Sequence, residues 1–409
     1  MPRWPVRAHT TDVMLSTTPV QPDKGERLVT PAFIRLAIAD LAYFTSAGIA
    51  IYTLPLWVTG PVGSDTSGAG LAFGAFYLAA LLLRPVAGRL ADTHGRRPLL
   101  MGGALISAVG MFGTAYADGL VPVILLRILL GVAEAAFFVA SIAALADLAP
   151  PSRMAEATSY NSLGLYLGLA FGPPLGELLM RMAGFTAAWY GAAALSLIAV
   201  VVAAGIKDVR SRTASADSPA RLLLWKAIPP ALGFFASVVA MGAFFAFGSL
   251  QADVVGLMPA STPLFVYGVV VVAGRLLLAR VLDRFPALLL GAVALAIIGA
   301  GLMIMALRTT PIGIAVGAAV FGFGVTLSTP AFFSAIFATA RPSERGAASG
   351  TASIFLDLGV GAGPMLLGLA AQAAGIPFAF GVAAAVALAG CMWILALFRM
   401  WRGSGGPAE

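Results

Sequence analysis

Twelve stretches of mostly apolar residues recur between positions 31 and 398, each long enough to cross a bilayer, and this recurrence limits the fold more than any other feature. A membrane-spanning helix needs about 20 such residues. The expected spans are 31–58, 68–87, 99–117, 121–146, 155–180, 186–206, 228–250, 262–279, 287–307, 311–339, 346–372 and 377–398. Composition agrees: 60% of the 409 residues are hydrophobic and only 11% charged, against about 25% charged in soluble domains. The chain therefore reads as an all-α integral membrane protein.

The formal charge of +7 raises the question of nucleic acid, yet no basic patch is interleaved with base-stacking aromatics. The single cysteine, Cys391, excludes an internal disulfide and a cysteine-based metal site, and two histidines argue against a zinc centre. The positive charge is topological instead. Residues 1–29 are polar, carry Arg3, Arg7, Lys24 and Arg27, lack the apolar core of a secretory signal, and read as a cytoplasmic tail. With that tail inside, nineteen of the 25 Lys and Arg residues fall in cytoplasmic segments, as the positive-inside rule demands.

The longest polar connection, 207–225, divides the spans into two sets of six. A shift of 191 residues lays the first set on the second: Arg84 meets Arg275, Arg89 meets Arg280, Asp92 meets Asp283, Pro151 meets Pro342, Ser152 meets Ser343, and Pro173 meets Pro364. Gly184 and Gly375 coincide as well. Charged and proline matches without a gap across so long a stretch indicate a duplicated six-span unit, a construction common among transporters. The expected organisation is a tail to residue 29, a bundle over 30–206, a linker over 207–225, a bundle over 226–398 and a cytoplasmic tail over 399–409.

Between the second and third spans stands GRLADTHGRRPLL, residues 88–100. Gly95 permits a turn that a side chain would obstruct, and Asp92 is an anion close to helix ends, able to cap a facing helix N-terminus. With Gly88, Leu90, Asp92, Gly95, Arg96 and Arg97 in place, the stretch resembles the loop signature of the major facilitator superfamily, and the resemblance extends over essentially all twelve spans. It implies two pseudo-symmetric six-helix bundles around a midplane site. It also implies that Asp92, Arg96 and Arg97 form a cytoplasmic gate with the other half and with Asp147 at the end of the fourth span. The second copy, ARVLDRFPALL, keeps Asp283 and Arg284 but has Pro286 in place of the second glycine.

In the fourth span Arg127 and Glu134 stand seven residues apart with Gly131 between them. They therefore share a helix face, about 10 Å apart along the axis. Arg127 and Gly131 match the superfamily's fourth-helix motif, with Leu130 in place of its glutamine. Asp40 in the first span is some nine residues in, about 14 Å by helical rise. A carboxylate there must be protonated for part of a cycle or paired with a cation such as Arg127, and Tyr43, one turn along, could donate to it. Asp40, Glu134, Arg127 and Asp357 in the eleventh span are the proton-coupling candidates.

The fifth span carries Gly164, Gly168, Gly172 and Gly176 every four residues, with Pro173 after the third, a spacing that lets a neighbouring helix approach closely. The pattern resembles the antiporter motif of exporters in this superfamily, except that Ser159 and Glu177 replace two of its glycines. Tyr43, Phe138, Tyr160, Tyr166, Phe244 and Phe245, with Asn161, Gln251, Ser328 and Ser353, are candidates to line the substrate cavity.

These features together imply a secondary active transporter, drug:proton antiporter-like, that exports a small organic molecule in exchange for protons. It would be a multi-pass protein of the cell membrane with both termini cytoplasmic. Its expected partners are a small-molecule substrate, protons and membrane lipid, with no nucleic acid; it is expected to be a monomer with no cofactor beyond the proton gradient and no metal. A proton-driven importer would use the same carboxylates without the fifth-span motif, and a lipid translocase would need a side opening. No G-x-x-x-x-G-K-[ST] loop suggests an ATP-driven pump, and no credible nucleophile, base and orienter set suggests an enzyme.

Overall fold

The computed structural model describes residues 28–150, 153–206, 223–282, 285–341 and 344–404, and among them every regular element is a helix. In chain order these are α1 (Pro31–Thr59), α2 (Thr66–His94), α3 (Arg96–Thr114), α4 (Leu120–Leu148), α5 (Met154–Ala204), α6 (Ile228–Val254), α7 (Thr262–Leu282), α8 (Ala287–Leu307), α9 (Pro311–Ala338), α10 (Arg345–Ala374) and α11 (Ile376–Ser404). Nine of the described helices are long and apolar enough to cross a membrane. The 51-residue α5 is two rods: Ala183 (φ −149°, ψ 25°) and Gly184 (φ 78°, ψ −177°) leave helical geometry. Counting both arms gives twelve rods, in the places where the apolar runs predict them.

The helix ends follow local chemistry. Thr30 accepts from the Phe33 amide at 3.2 Å with Pro31 in the first turn, and Thr310 repeats this arrangement with Gly313 and Pro311. Such caps satisfy amides that have no partner inside the helix. Between α2 and α3 a single residue, Gly95, turns the chain at φ 94°, a region closed to most side chains.

The duplication is visible as geometry. The pairs α3 and α8, α4 and α9, and α5 and α10 each start 191 residues apart. The break at Gly184 (φ 78°) has its counterpart at Gly375 (φ 87°), between α10 and α11. Packing repeats too: α1 lies on α5 as α6 lies on α10, α2 on α4 as α7 on α9, and α3 on α4 as α8 on α9. The halves meet where α2 packs on α10 and α5 on α7, two contacts that exchange under the same shift.

The halves are in close contact towards the end opposite the Gly95 turn. A Cβ on Gly70 would sit 2.2 Å from the Pro364 carbonyl oxygen, and one on Gly74 2.2 Å from that of Gly361. Asp65, which caps α2 by accepting from the Gly68 amide at 2.9 Å, also accepts from Gln372 of α10.

Two expected boundaries move. The helix α11 continues to Ser404, past the expected end of the last span at 398. The last residues of the 207–225 linker are docked, because the Leu224 amide donates to Thr351 Oγ1 of α10 at 2.8 Å. The rest of that linker, most of the expected N-terminal tail, and Pro151, Ser152, Asp283, Arg284, Pro342 and Ser343 lie outside the described residues.

Candidate functional site

Asp40 of α1 has no solvent exposure. Ser141 of α4 donates to both of its carboxylate oxygens at 2.8 Å, and the Asn161 side chain of α5 also reaches it. Two expectations need correction here. Tyr43 does not serve Asp40; its hydroxyl lies towards Glu134, and its ring stacks on Phe137 with centroids 3.9 Å apart. Arg127 does not pair with Asp40 either: its Nε donates to the Ala72 carbonyl of α2 at 3.3 Å, and its guanidinium lies 4.5 Å over the Phe76 ring. Seven residues of helix separate Arg127 from Glu134, about 10 Å, too far for an ion pair when the arginine is drawn sideways onto α2.

The shortest ion pair among the described residues joins the two halves. Arg84 of α2 grips Asp357 of α10 through both donors of one edge, Nε to Oδ2 at 2.5 Å and Nη2 to Oδ1 at 2.9 Å. Its guanidinium also lies 4.7 Å over Phe138, and Glu134 feels Arg84, Asp357 and Arg127 electrostatically. Five helices thus converge on one buried polar cluster. Arg84 was legible only as half of a repeated pair with Arg275, and Ser141 gave no signal among the many serines of the spans.

The remaining cavity candidates divide. Asn161 faces Asp40, Phe138 underlies Arg84, and Tyr166 of α5 lies 4.1 Å beneath the Arg275 guanidinium. Tyr160 is 48% exposed, and Ser353 is half-buried on α10. Phe244 and Phe245 belong to the packed core of the second half, where Phe244 stacks on Phe321 at 4.6 Å and Phe245 meets Tyr267 edge-on. Ser328 is used in helix packing, donating to Ser237 at 2.8 Å, and Gln251 is buried towards the far end of α6.

At the Gly95 turn, Arg96 ties together the ends of α2 and α4. It reaches Asp92 at 3.0 Å, Asp147 at 3.1 Å and the Ala91 carbonyl. Among the described residues the Asp92 side chain, 57% exposed, engages Arg96 of its own half; Arg97 is exposed, and a Cβ on Gly88 would meet nothing within 4 Å. The opposite end holds a clamp that the sequence marked only as a motif departure. Glu177 of α5 accepts from the Ala260 and Ser261 amides at 3.0 and 2.8 Å and pairs with Arg181 at 2.8 Å. A cleft of about 460 Å³ opens beside it, lined in part by Tyr52, Arg181, Asp253 and Met258, and it is distinct from the buried cluster around Asp40.

The glycine row packs α5 against α1 rather than against the other half. A Cβ at Gly172 would stand 2.6 Å from the Thr45 oxygen and the Gly48 Cα, and one at Gly168 would stand 2.7 Å from the Thr45 amide. Pro173 lies against Gly48, and a Cβ at Gly176 would stand 3.2 Å from Ile49, whereas one at Gly164 would keep ordinary spacing, 3.4 Å from Ala37. The expected consequence is graded. Gly172→Ala should lower thermal stability by about 1–3 kcal/mol, the usual cost of overpacking, while Gly164→Ala should leave it nearly unchanged. Equal melting temperatures for the two purified variants would remove the close-packing role.

The comparisons with known proteins agree with this architecture. The family model of the Major Facilitator Superfamily matches residues 36–364. An uncharacterized MFS-type transporter of Burkholderia pseudomallei (strain 1106a) is 30% identical over 387 residues, 91% of this chain and 95% of the relative. The uncharacterized MFS-type transporter YhhS of Escherichia coli O157:H7 is 26% identical, covering 92% of this chain and 93% of YhhS. Among solved structures, a mutant of the nucleoside transporter NupG superposes with a TM-score of 0.76 at 16% identity, covering 90% of this chain and 100% of that one. A bacterial homologue of the human lysosomal transporter Spinster, inward-facing and occupied, superposes with a TM-score of 0.69 at 15% identity, covering 89% of this chain and 94% of that one. With two repeated six-rod halves joined through α2, α5, α7 and α10, and a family match spanning most of its length, the chain belongs to the Major Facilitator Superfamily of membrane transporters.

Proposed function

We propose that the protein exports a small organic molecule from the cell in exchange for protons, by alternating access, with the Gly95 end facing the cytoplasm. The observation that carries this reading is the partner set of Asp40. Its carboxyl group is fully buried, yet it is held by a hydroxyl, with the Asn161 amide close by, instead of a cation. A serine hydroxyl can donate to a carboxylate or accept from a carboxylic acid, and an amide can do both. The setting therefore serves both states of a proton carrier. Asp357 differs, because a bidentate arginine serves only the charged form.

Export is favoured by the position of the glycine seam. Gly168 and Gly172 press on Thr45 and Gly48 of α1, one to two turns from Asp40, along the same α1 to α5 interface that brings Asn161 to the carboxyl group. Motion across that interface would alter the surroundings of Asp40 directly. Enclosure of the site at one end by Glu177 and the α2 to α10 contacts supplies one of the two states that alternating access requires.

The deciding experiment is reconstitution of the full chain into vesicles containing a pH-sensitive dye, with candidate drugs, sugars and metabolites added outside. Addition of a transported compound should move protons in the opposite direction, and reversing the imposed gradient should reverse net flux. Substrate entering together with protons would establish an importer and reject the exchange reading.

A further inference from the structure

The repeat places two arginines in equivalent positions and gives them different partners. Arg84 uses Nε and Nη2 to hold the Asp357 carboxylate. The same two nitrogens of Arg275, 191 residues on, are buried and have no hydrogen-bond acceptor among the described residues. The position equivalent to Asp357 in the first half is Tyr166, whose ring lies 4.1 Å beneath the Arg275 guanidinium. A ring face stabilises the charge, but it offers no in-plane oxygens to the fork. One copy of the arginine therefore has its carboxylate built into the chain, while the other presents the same planar pair of donors to none.

We propose that Arg275 is the binding residue for an organic anion, whose carboxylate takes the place at Arg275 that Asp357 takes at Arg84. The fork selects the chemistry: two parallel N–H donors match a planar carboxylate in a way that a single charge does not. Tyr166 covers one face of the guanidinium, and Tyr267, close enough to interact electrostatically with Arg275, adds a second aromatic group. A carboxylate carried on an aromatic or aliphatic body suits these surroundings. The residue lies on α7, which packs on α5 across the boundary between the halves. A ligand there would touch both moving parts, as a transported substrate must. This inference rests on the transport reading only in taking the ligand to be substrate.

Binding can be measured without any gradient, so its failure is separable from failure of proton exchange. The purified full-length protein in detergent is titrated at one pH with a panel of monocarboxylates, among them benzoate, and with the primary amide of each, following intrinsic fluorescence and thermal unfolding. The best carboxylate should bind at least about tenfold more tightly than its amide, the difference expected when buried donors gain a charged acceptor. Arg275→Gln should lose that preference. Arg275→Lys, which keeps the charge without the fork, should retain only part of it and carries the test if the glutamine variant does not fold. Tyr166→Asp should supply the acceptor internally, making a second copy of the Arg84 pair, and should abolish carboxylate binding while the protein stays folded. The proposal is overturned if no carboxylate outbinds its amide, if Arg275→Gln, or Arg275→Lys in its stead, binds as the unaltered protein does, or if Tyr166→Asp binds undiminished.

Discussion

Protein carrying Asp40→Asn is expected to move substrate down its own gradient at a near-normal rate and to lose all accumulation driven by a pH gradient. The substitution keeps the shape of the side chain and keeps groups able to bond Ser141 and Asn161, so packing should survive. What disappears is the exchangeable proton. One pH unit is worth about 1.4 kcal/mol, a factor of ten in concentration ratio for each proton exchanged. Two imposed units therefore allow the unaltered protein up to about a hundredfold accumulation at one proton per substrate, whereas the variant should settle near a ratio of one. Linkage adds a second readout: if proton and substrate oppose each other at this group, raising the pH must tighten substrate binding in the unaltered protein. Binding by the variant should not respond. Full gradient-driven accumulation by Asp40→Asn vesicles would remove Asp40 as carrier, and Glu134→Gln would then be the variant to examine, since Glu134 shares the same buried cluster through Tyr43.

A second large effect is expected at the charge pair between the halves. Arg84→Gln leaves the Asp357 carboxylate with no exposure and no cation at its fork. Stranding one member of a buried pair commonly costs about 3–5 kcal/mol. The double variant Arg84→Gln with Asp357→Asn removes both charges and should be more stable than Arg84→Gln alone, with a coupling of about 0.5–3 kcal/mol as for other contacting residues. Denaturation midpoints of the four purified proteins give the cycle directly. Strictly additive effects would mean that the two residues do not act as a unit, whatever their separation. Because α2 and α10 belong to different halves, the double variant should also shift the distribution of distances between the Gly95 turn and the start of α10, which spin labels can report.

Much of this molecule can be read from its residues in order. Apolar runs of bilayer length leave little choice but a helix, so the twelve rods fall where the runs do, and the glycine pair 184 and 375 marks the equivalent breaks. Glycines four apart on α5 announce a close contact, because the lack of a side chain every turn has few other uses. The identity of the partner helix, α1, was not announced. Nor were the partners of the charges: Arg127 turns to a backbone carbonyl, Tyr43 to Glu134, and Arg84 to a carboxylate 273 positions away. The reason is physical. In a soluble helix the apolar stripe shows which face is inward, but lipid is as apolar as a packed interior, so the faces of a membrane helix look alike in sequence. Length and composition therefore determined that these helices form and how many there are. Their rotation, and with it every contact of Asp40, Arg84 and Arg275, was decided only when the helices packed together.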